Sequence, residues 1–415
     1  MTAATTGIVW VGIDWADEVH AFALQHGEKI EHGTIEHSPE AIDLWTQKLR
    51  KRFPHSQIAI VLEQSKGGLI FALMKYSFIE LYPINPKTLA KYREAWSPSR
   101  AKGDPADAGF LLEIGVTHHD RLRAWKPEPD EIRLLQRLTE QRVRLVNDLK
   151  RTGNRLTSTL KEYFPQVLDL FGKIYRNVVA EFLLRYPSLE DAQNASDMQL
   201  LSFLRSYSSG TIEKMKEKVQ MLRTAVSLTK EAPVINSNKM FVKALALQLK
   251  ALNEAIVDYE KQIEQLYSAH PDRHIFDSLP GAGSIMAPRL LAAMGTDRSR
   301  FNSAGELSNF TGISPVIEAS GNQSWTHWRF FCNKHIRQAF IDWAFLSLRE
   351  SFWAEAYYAS QRAKGKKHPA AVRALAFKWQ RIIFQMWKNK TRYCEADYLR
   401  ALKKAGSPLC KAFAT

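Results

Sequence analysis

Residues 7–125 alternate between short apolar runs and longer amphipathic stretches. GIVWVGID, VHAFALQHG and KIEHGTIEH are rich in apolar and β-branched residues, which predicts three strands. SPEAIDLWTQKLRKRF has a serine cap, a proline at the first helical position and apolar residues at helical spacing, so it predicts a helix. A second helix is predicted in GGLIFALMKYS, between strands in QIAIVLEQ and FIELYPINP. The first domain therefore combines strands and helices.

The order of these elements is three strands, helix, strand, helix, strand. This order is expected for a ribonuclease-H-like (RuvC-type) α/β layer, and we assign it to residues 1–125. From residue 126 onward the strand signal nearly disappears and long amphipathic segments follow. The chain is therefore predicted to be α/β plus α, with a helical domain at 126–275 and a mostly helical domain at 276–415.

The middle domain carries apolar residues at alternating three- and four-residue spacing. A long helix begins near residue 128, and a second amphipathic segment covers 212–229. A third runs for about four heptads, which predicts a coiled coil. The break at Pro233 fits either an antiparallel hairpin or two arms of an oligomer. The stripe of the third segment comprises Val242, Leu245, Leu249, Leu252, Ile256, Tyr259, Ile263 and Leu266.

The C-terminal domain opens with SLPGAGSIMAPRLLAAMG, a tight turn between two helical stretches. This pattern is typical of a helix-hairpin-helix motif, in which Gly281 and Gly283 would let backbone N–H groups approach a DNA phosphate. A simple turn between two helices explains the same residues equally well.

The charge balance narrows the class of partner. A formal net charge of +15 over 415 residues favours a polyanion, and eleven tryptophans favour nucleic acid over an anionic membrane. A generically basic surface is the simpler alternative. The chain has no long uncharged apolar run and no secretory signal, and its three scattered cysteines argue for a reducing compartment. We therefore expect a cytoplasmic protein of bacterial type, nucleoid-associated when active, with no membrane partner.

Four acidic residues fall where predicted elements would bring them together. Asp14 and Glu63 each close a predicted strand, and Asp104 and Asp107 lie at a helix start marked by Pro105. Four converging carboxylates repel one another unless cations neutralise them, and two Mg²⁺ ions are the usual solution. Taken singly, each acid has an ordinary role at a strand end or a helix N-terminus.

Basic residues precede this acidic helix and could hold a phosphate backbone beside the metal ions. A solvated helix face is the alternative, and it is the preferred one for Lys87. The candidates are Lys87, Lys91, Arg93, Arg100 and Lys102.

A serine in the sequence EASGNQSW is a candidate nucleophile. Ser320 precedes Gly321, which permits a tight turn that exposes the hydroxyl, and Ser324 is the rival nucleophile. A serine hydroxyl needs a base or a metal to activate it, and no local Ser-His-Asp arrangement is evident. The alternative is an ordinary turn residue. Nearby cations that could bind the attacked phosphate are Arg329, Lys334, His335 and Arg337.

With these motifs in place, the chain resembles insertion-sequence transposases that have a RuvC-like DEDD domain and are related to Piv-type DNA invertases. VGIDWAD resembles their first strand motif, VLEQSKGG their glutamate motif and KGDPADA their DxxD helix. SLPGAGSIMAPRLLAAMGTDRSRFNSAGELSNFTGISPV resembles their C-terminal block, and ASGNQS their serine turn. The resemblance covers nearly the whole chain.

The resemblance implies a recombinase that cuts and rejoins donor and target DNA. By this likeness the four acids bind Mg²⁺, and Ser320 forms a covalent protein–DNA link. It also implies a noncoding bridge RNA that pairs with both DNAs, and a homo-oligomer, dimer or tetramer, in which serines complete the acidic sites of partner protomers. Two rival hypotheses remain: a RuvC-type structure-specific nuclease without serine catalysis, and a non-catalytic coiled-coil scaffold that binds nucleic acid.

Overall fold

The computed structural model describes residues 7–63, 67–96, 103–207 and 210–407. The chain divides into two compact units, Met1–Pro127 and Glu128–Thr415. The first unit contains a mixed sheet with helices, and the second is mostly helical. The predicted α/β plus α class is therefore confirmed at this level. Across the described ranges, no helix is both long enough and apolar enough to cross a membrane.

The first unit is built on a five-stranded sheet in the order β3-β2-β1-β4-β5. β1 pairs antiparallel with β2 and parallel with β4, while β2–β3 is antiparallel and β4–β5 parallel. This arrangement is compatible with a DEDD nuclease-like fold. The elements are β1 (Ile8–Asp14), β2 (Val19–His26), β3 (Lys29–Glu36), α1 (Pro39–Arg52), β4 (Gln57–Leu62), α2 (Gly68–Leu73), β5 (Ile79–Pro83), α3 (Pro86–Trp96) and α4 (Asp104–His118).

Local sequence explains where these elements begin. Ser38 caps α1 as predicted, since its Oγ accepts a hydrogen bond from the Ala41 N–H at 3.1 Å and Pro39 occupies the first turn. β4 is apolar throughout from Ile58 to Leu62 and fully buried. A continuous apolar run of this kind is expected of a central strand that is covered on both faces.

Helix α4 lies directly against the central strand β1. A Cβ atom on Gly12 would stand 2.2 Å from the Ala108 carbonyl oxygen and 2.4 Å from the Leu112 nitrogen. Only glycine permits this backbone-to-backbone approach. Gly115, farther along α4, packs against Trp10, so the helix runs antiparallel to β1 and its first turn lies toward the carboxyl end of that strand.

The second unit contains fourteen helices and one hairpin within its described residues. They are α5 (Asp130–Tyr163), α6 (Gln166–Phe171), α7 (Asn177–Arg185), α8 (Leu189–Asn194), α9 (Asp197–Tyr207), α10 (Ile212–Thr224), α11 (Ala232–Ser268), α12 (Arg273–Asp277), α13 (Gly283–Met294), α14 (Ala304–Thr311), β6 (Val316–Ser320), β7 (Gln323–His327), α15 (Lys334–Leu346), α16 (Phe352–Ala363), α17 (His368–Asn389) and α18 (Glu395–Lys404).

The apolar stripe of α11 is buried within its own chain. α11 packs along α5 and α7, and two contacts show that α11 and α5 run antiparallel. Asn238 bonds to Glu162, and Tyr259 bonds to Gln141 near the other end. Helix α10 packs chiefly against α8 and α9. The long stripe therefore packs within the chain. Of the two alternatives for the break at Pro233, an antiparallel helix pair is present, but α11 pairs mainly with α5 and not with α10.

Four tryptophans form much of the C-terminal core. Trp343, Trp353, Trp379 and Trp387 are fully buried and clustered with apolar residues. Each indole N–H has a partner, for example the Gly295 carbonyl at 2.7 Å from Trp387. These four rings are therefore unavailable for stacking on bases, which weakens the inference from tryptophan content to nucleic acid.

The close approach of α4 to β1 predicts a large cost for any side chain at residue 12. Gly12→Ala should lower the free energy of unfolding by about 1–3 kcal/mol, because the added methyl group overpacks two backbones. Protection of β1 amides against hydrogen–deuterium exchange measures this within the first unit. Gly109→Ala on α4 is the control, since a Cβ there meets only His32 Cε1 at 4.0 Å. Equal effects of the two substitutions would contradict the packing argument.

Candidate active site

Two of the four predicted acids stand side by side at one edge of the sheet. Asp14 is the last residue of β1, and Glu63 directly follows β4. Because β1 and β4 are parallel and Ile13 pairs with Leu62, the next residue on each strand occupies the neighbouring position. Both acids are half-buried. The sequence-based expectation that these strand ends adjoin is met by this pairing.

The other two acids lie on the first turn of α4 but differ in environment. Asp104 is exposed, whereas the side chain of Asp107 is only 2% exposed. Arg93 on α3 donates two hydrogen bonds to the buried carboxylate, from Nε to Oδ1 at 2.7 Å and from Nη2 to Oδ2 at 2.6 Å. This bidentate ion pair satisfies a charge that would otherwise be costly to bury.

The donor set suits magnesium in its chemistry, since all four side chains offer carboxylate oxygen. Asp14 and Glu63 adjoin, and the Gly12 contact brings the first turn of α4 to the same strand. Among the described residues, however, no group of three or more His, Cys, Asp or Glu side chains is arranged to hold a metal ion. Arg93 donates one hydrogen bond to each Asp107 oxygen, so a metal ion at Asp107 would have to share this carboxylate with Arg93 or displace the arginine.

The predicted DNA-binding cations of the first unit have unequal surroundings. Lys87 and Lys91 are exposed on α3, while Arg93 is committed to Asp107. Arg100 and Lys102 lie outside the described residues. A role in binding nucleic acid therefore stays a prediction for these residues, and for Arg93 it competes with an internal ion pair.

The turn before α13 already makes a hydrogen bond and a close contact within the protein. The Gly281 N–H donates to Glu350 Oε2 at 2.6 Å, and a Cβ on Gly281 would approach Leu346 O to 2.7 Å. Gly283 has φ of +49° and open space around its Cα. The backbone N–H of Gly281 is thus used within the protein. Phosphate binding by this turn stays a prediction.

Ser320 lies at the tip of an exposed β-hairpin. β6 and β7 pair antiparallel with Ser320 opposite Gln323, and Gly321 at φ +57° makes the tight turn. Side chains alternate between the faces of a ribbon, so Ser320 shares its face with Gln323 and Trp325, while Ser324 lies on the other face. Within the described part of the chain the Ser320 hydroxyl makes no hydrogen bond to a base.

The base of the hairpin holds an arginine cluster that sequence reasoning only partly identified. The guanidinium of Arg373 lies 3.4 Å from the ring centre of Trp328, and that of Arg337 lies 4.8 Å from it. Arg329 donates to Asn309 Oδ1 and Ser314 O. Arg329 and Arg337 were predicted from their position beside Ser320. Arg373 was missed because it comes from the distant helix α17, and no local pattern links it to the hairpin.

Two family models match the chain. The first covers most of the first unit and the start of the second, and the other lies within the second unit. A model described as "Transposase", of the DEDD IS110 type, matches residues 11–165. A model described as "Transposase IS116/IS110/IS902 family" matches residues 273–359. Both matches define a transposase class of protein. The chain belongs to the IS116/IS110/IS902 family of transposases.

Similar proteins extend over nearly the full chain. The "Mini-circle putative transposase for IS117" of Streptomyces coelicolor is 28% identical over 98% of this chain and 98% of its own length. The "Insertion element IS110 uncharacterized 43.6 kDa protein" of the same organism is 26% identical over 93% and 95%. The "Insertion element IS116 uncharacterized 44.8 kDa protein" of Streptomyces clavuligerus is 23% identical over 94% and 96%. The likeness therefore includes both units.

The ion pair between Arg93 and Asp107 predicts a strong stability effect. Arg93→Met should destabilise the first unit by about 3–5 kcal/mol, because it leaves a buried carboxylate without its partner. Hydrogen–deuterium exchange of β1 and β4 amides measures the loss. Adding Asp107→Asn should restore part of it.

Arg52→Met is the matched control, since Arg52 and Glu31 form an exposed pair in the same unit. Exposed pairs contribute about 0–1 kcal/mol, so this change should have little effect. Similar losses of stability in Arg93→Met and Arg52→Met would show that the buried ion pair contributes no more than the exposed one.

Proposed function

We propose that the chain is a DNA transposase that cuts and rejoins DNA through its acidic cluster and Ser320. The observation that carries this proposal is the position of Asp14 and Glu63, which directly follow the paired residues Ile13 and Leu62 on adjacent parallel strands, inside the region matched by the transposase model. The net charge of +15 suits a polyanionic substrate. The exposed hairpin presents a serine hydroxyl that a DNA strand could reach without any internal rearrangement.

Asp14, Glu63, Asp104 and Asp107 would hold two Mg²⁺ ions. When bound, the ions supply charge neutralisation at the attacked phosphodiester and activation of the serine hydroxyl. A metal ion at Asp107 would share this carboxylate with Arg93 or displace the arginine, and a displaced guanidinium could pair with a phosphate.

Ser320 would act as the nucleophile. Its Oγ forms a bond to phosphorus while one P–O bond of the DNA backbone breaks, and the serine proton passes to solvent or base as the released DNA oxygen gains one. The number of phosphate ester bonds is unchanged, so the strand can be rejoined by a DNA hydroxyl without an external energy source. Gly321 supports this role because its left-handed conformation turns the hairpin immediately after the serine.

Two further features belong to the same proposal. A noncoding bridge RNA would pair with donor and target DNA, and the protein would contact its backbone. Ser320 of one protomer would meet the acids of another in a dimer or tetramer. Co-purification of RNA that maps beside the gene, and the mass of the assembled complex, test these two features separately.

Substitution of the serine tests its role directly. Ser320→Ala should abolish the covalent protein–DNA adduct, whereas Ser324→Ala should retain it, because Ser324 projects from the opposite face of the ribbon. Denaturing gels of the protein with labelled element-end DNA, Mg²⁺ and any co-purified RNA measure the adduct. An adduct in Ser320→Ala would exclude this nucleophile. DNA cleavage by Ser320→Ala without any adduct in the wild type would favour the RuvC-type nuclease.

The acidic residues need a separate test. Asp14→Asn and Glu63→Gln should each lower cleavage by at least about a hundredfold while DNA binding in EDTA is retained, because positioning of metal and phosphate contributes steeply to the rate. Glu36→Gln, at the end of the edge strand β3, is the control. Unchanged cleavage in both site variants would refute the acidic metal site, whereas no cleavage by the wild-type protein would favour the non-catalytic scaffold.

A further inference from the structure

The base of the Ser320 hairpin carries positive charge that the protein itself does not neutralise. Arg329, Arg337 and Arg373 form no salt bridge with any acidic side chain in the described ranges. Two of them flank Trp328, with guanidinium-to-ring distances of 3.4 and 4.8 Å. Burial and the neighbouring Arg337 lower the pKa of Arg373. Like charges held together in this way favour the binding of an anion from outside.

Trp328 fixes the orientation of these cations. Stacking on an indole ring holds a guanidinium in place and leaves its N–H groups free to bind. Arg337 uses one of them on the Arg329 carbonyl at 2.9 Å. The cluster is therefore arranged in advance and does not depend on flexible side chains collapsing onto a ligand.

Aromatic rings extend from this cluster toward the serine. Trp325 is 47% exposed and lies on the face of the ribbon that carries Ser320. Diagonal neighbours on one face of an antiparallel pair are about 7–8 Å apart, which puts the indole beside the hydroxyl. Phe330, next to Arg329, is 68% exposed. Exposed rings of this kind are stacking platforms for unpaired bases.

We propose that this ribbon face and the arginine cluster bind single-stranded DNA next to the phosphodiester that Ser320 attacks. Arg337 and Arg373 hold the backbone, Trp325 stacks on a base, and Trp328 positions the two arginines. Gln323 lies opposite Ser320, and Trp328 follows it by five residues, roughly 17 Å along an extended strand, so one DNA strand can contact both. This inference rests on the proposed function of Ser320.

The observations favour this occupant over the alternatives. A protein partner would suit the exposed rings, but it would leave the arginines without phosphates unless it were strongly acidic. A duplex offers phosphates but keeps its bases stacked inside, so Trp325 would gain nothing. DNA is favoured over RNA because the surface continues directly into the serine whose proposed substrate is DNA.

The test separates the charge from the stacking. Binding of the full chain to a fluorescent single-stranded DNA of about 20 nucleotides is measured in EDTA by anisotropy across a salt series. Arg373→Gln should weaken binding and lower the slope of log affinity against log salt by about 0.7, the value for one phosphate contact on a single strand. Trp325→Ala should weaken binding roughly tenfold with the slope unchanged, as expected for loss of one stacked base.

Arg400→Gln is the matched control, because it removes one exposed positive charge whose partner is Asp397. It should leave affinity and slope near the wild-type values. Thermal unfolding of each variant checks folding, and Arg337→Gln provides a second variant of the cluster. Equal effects of Arg373→Gln and Arg400→Gln would overturn the proposal.

The other probes decide the identity of the ligand. Affinity for duplex DNA should fall in the Arg373→Gln variant and stay unchanged in the Trp325→Ala variant. If the two variants weaken binding of single-stranded RNA and not of DNA, the assignment to DNA is wrong. Because EDTA prevents cleavage, these results do not depend on adduct formation. If Arg373→Gln and Trp325→Ala weaken DNA binding as expected but Ser320→Ala still forms an adduct, the proposed nucleophile is wrong and the proposed binding surface stands.

Discussion

The close contact between α4 and β1 is the constraint on which the candidate active site depends. At Gly12 two backbones meet with no side chain between them, and this contact seats the first turn of α4 beside the ends of β1 and β4. A side chain at residue 12 would force α4 away from β1, and with it the helix that carries Asp104 and Asp107. The position of the helix acids relative to β1 therefore depends on one glycine.

Most of the first unit could be predicted because its signals are local. The apolar runs predicted all five strands, and the Ser38–Pro39 pair predicted the start of α1. The sequence also placed Asp14 and Glu63 at strand ends, from which their adjacency follows by parallel pairing. The ion pair between Arg93 and Asp107 was not predicted, since it depends on how α3 and α4 meet, and the same arginine had been assigned to DNA.

The second unit was harder to predict because an apolar stripe does not identify its partner. The stripe of α11 has the spacing of a coiled coil, but its residues are buried against α5 and α7 of the same chain. Tryptophan content is weak evidence for a related reason, since four of the eleven rings belong to the core. The stack of Arg373 on Trp328 joins residues from two distant segments, and only the fold brings them together.

Each unit lacks a different part of what the proposed chemistry needs. The first unit buries a carboxylate that needs a cation, and it uses Arg93 for that purpose. The second exposes a hydroxyl without a base and three arginines without acidic partners among the described residues. On the proposed function, a DNA strand would bring phosphates for the arginines, and metal ions at the acids would compete with Arg93 and activate the hydroxyl. Because the acids belong to the first unit and the serine to the second, the proposed cleavage would need substrate and metal as well as residues of both units.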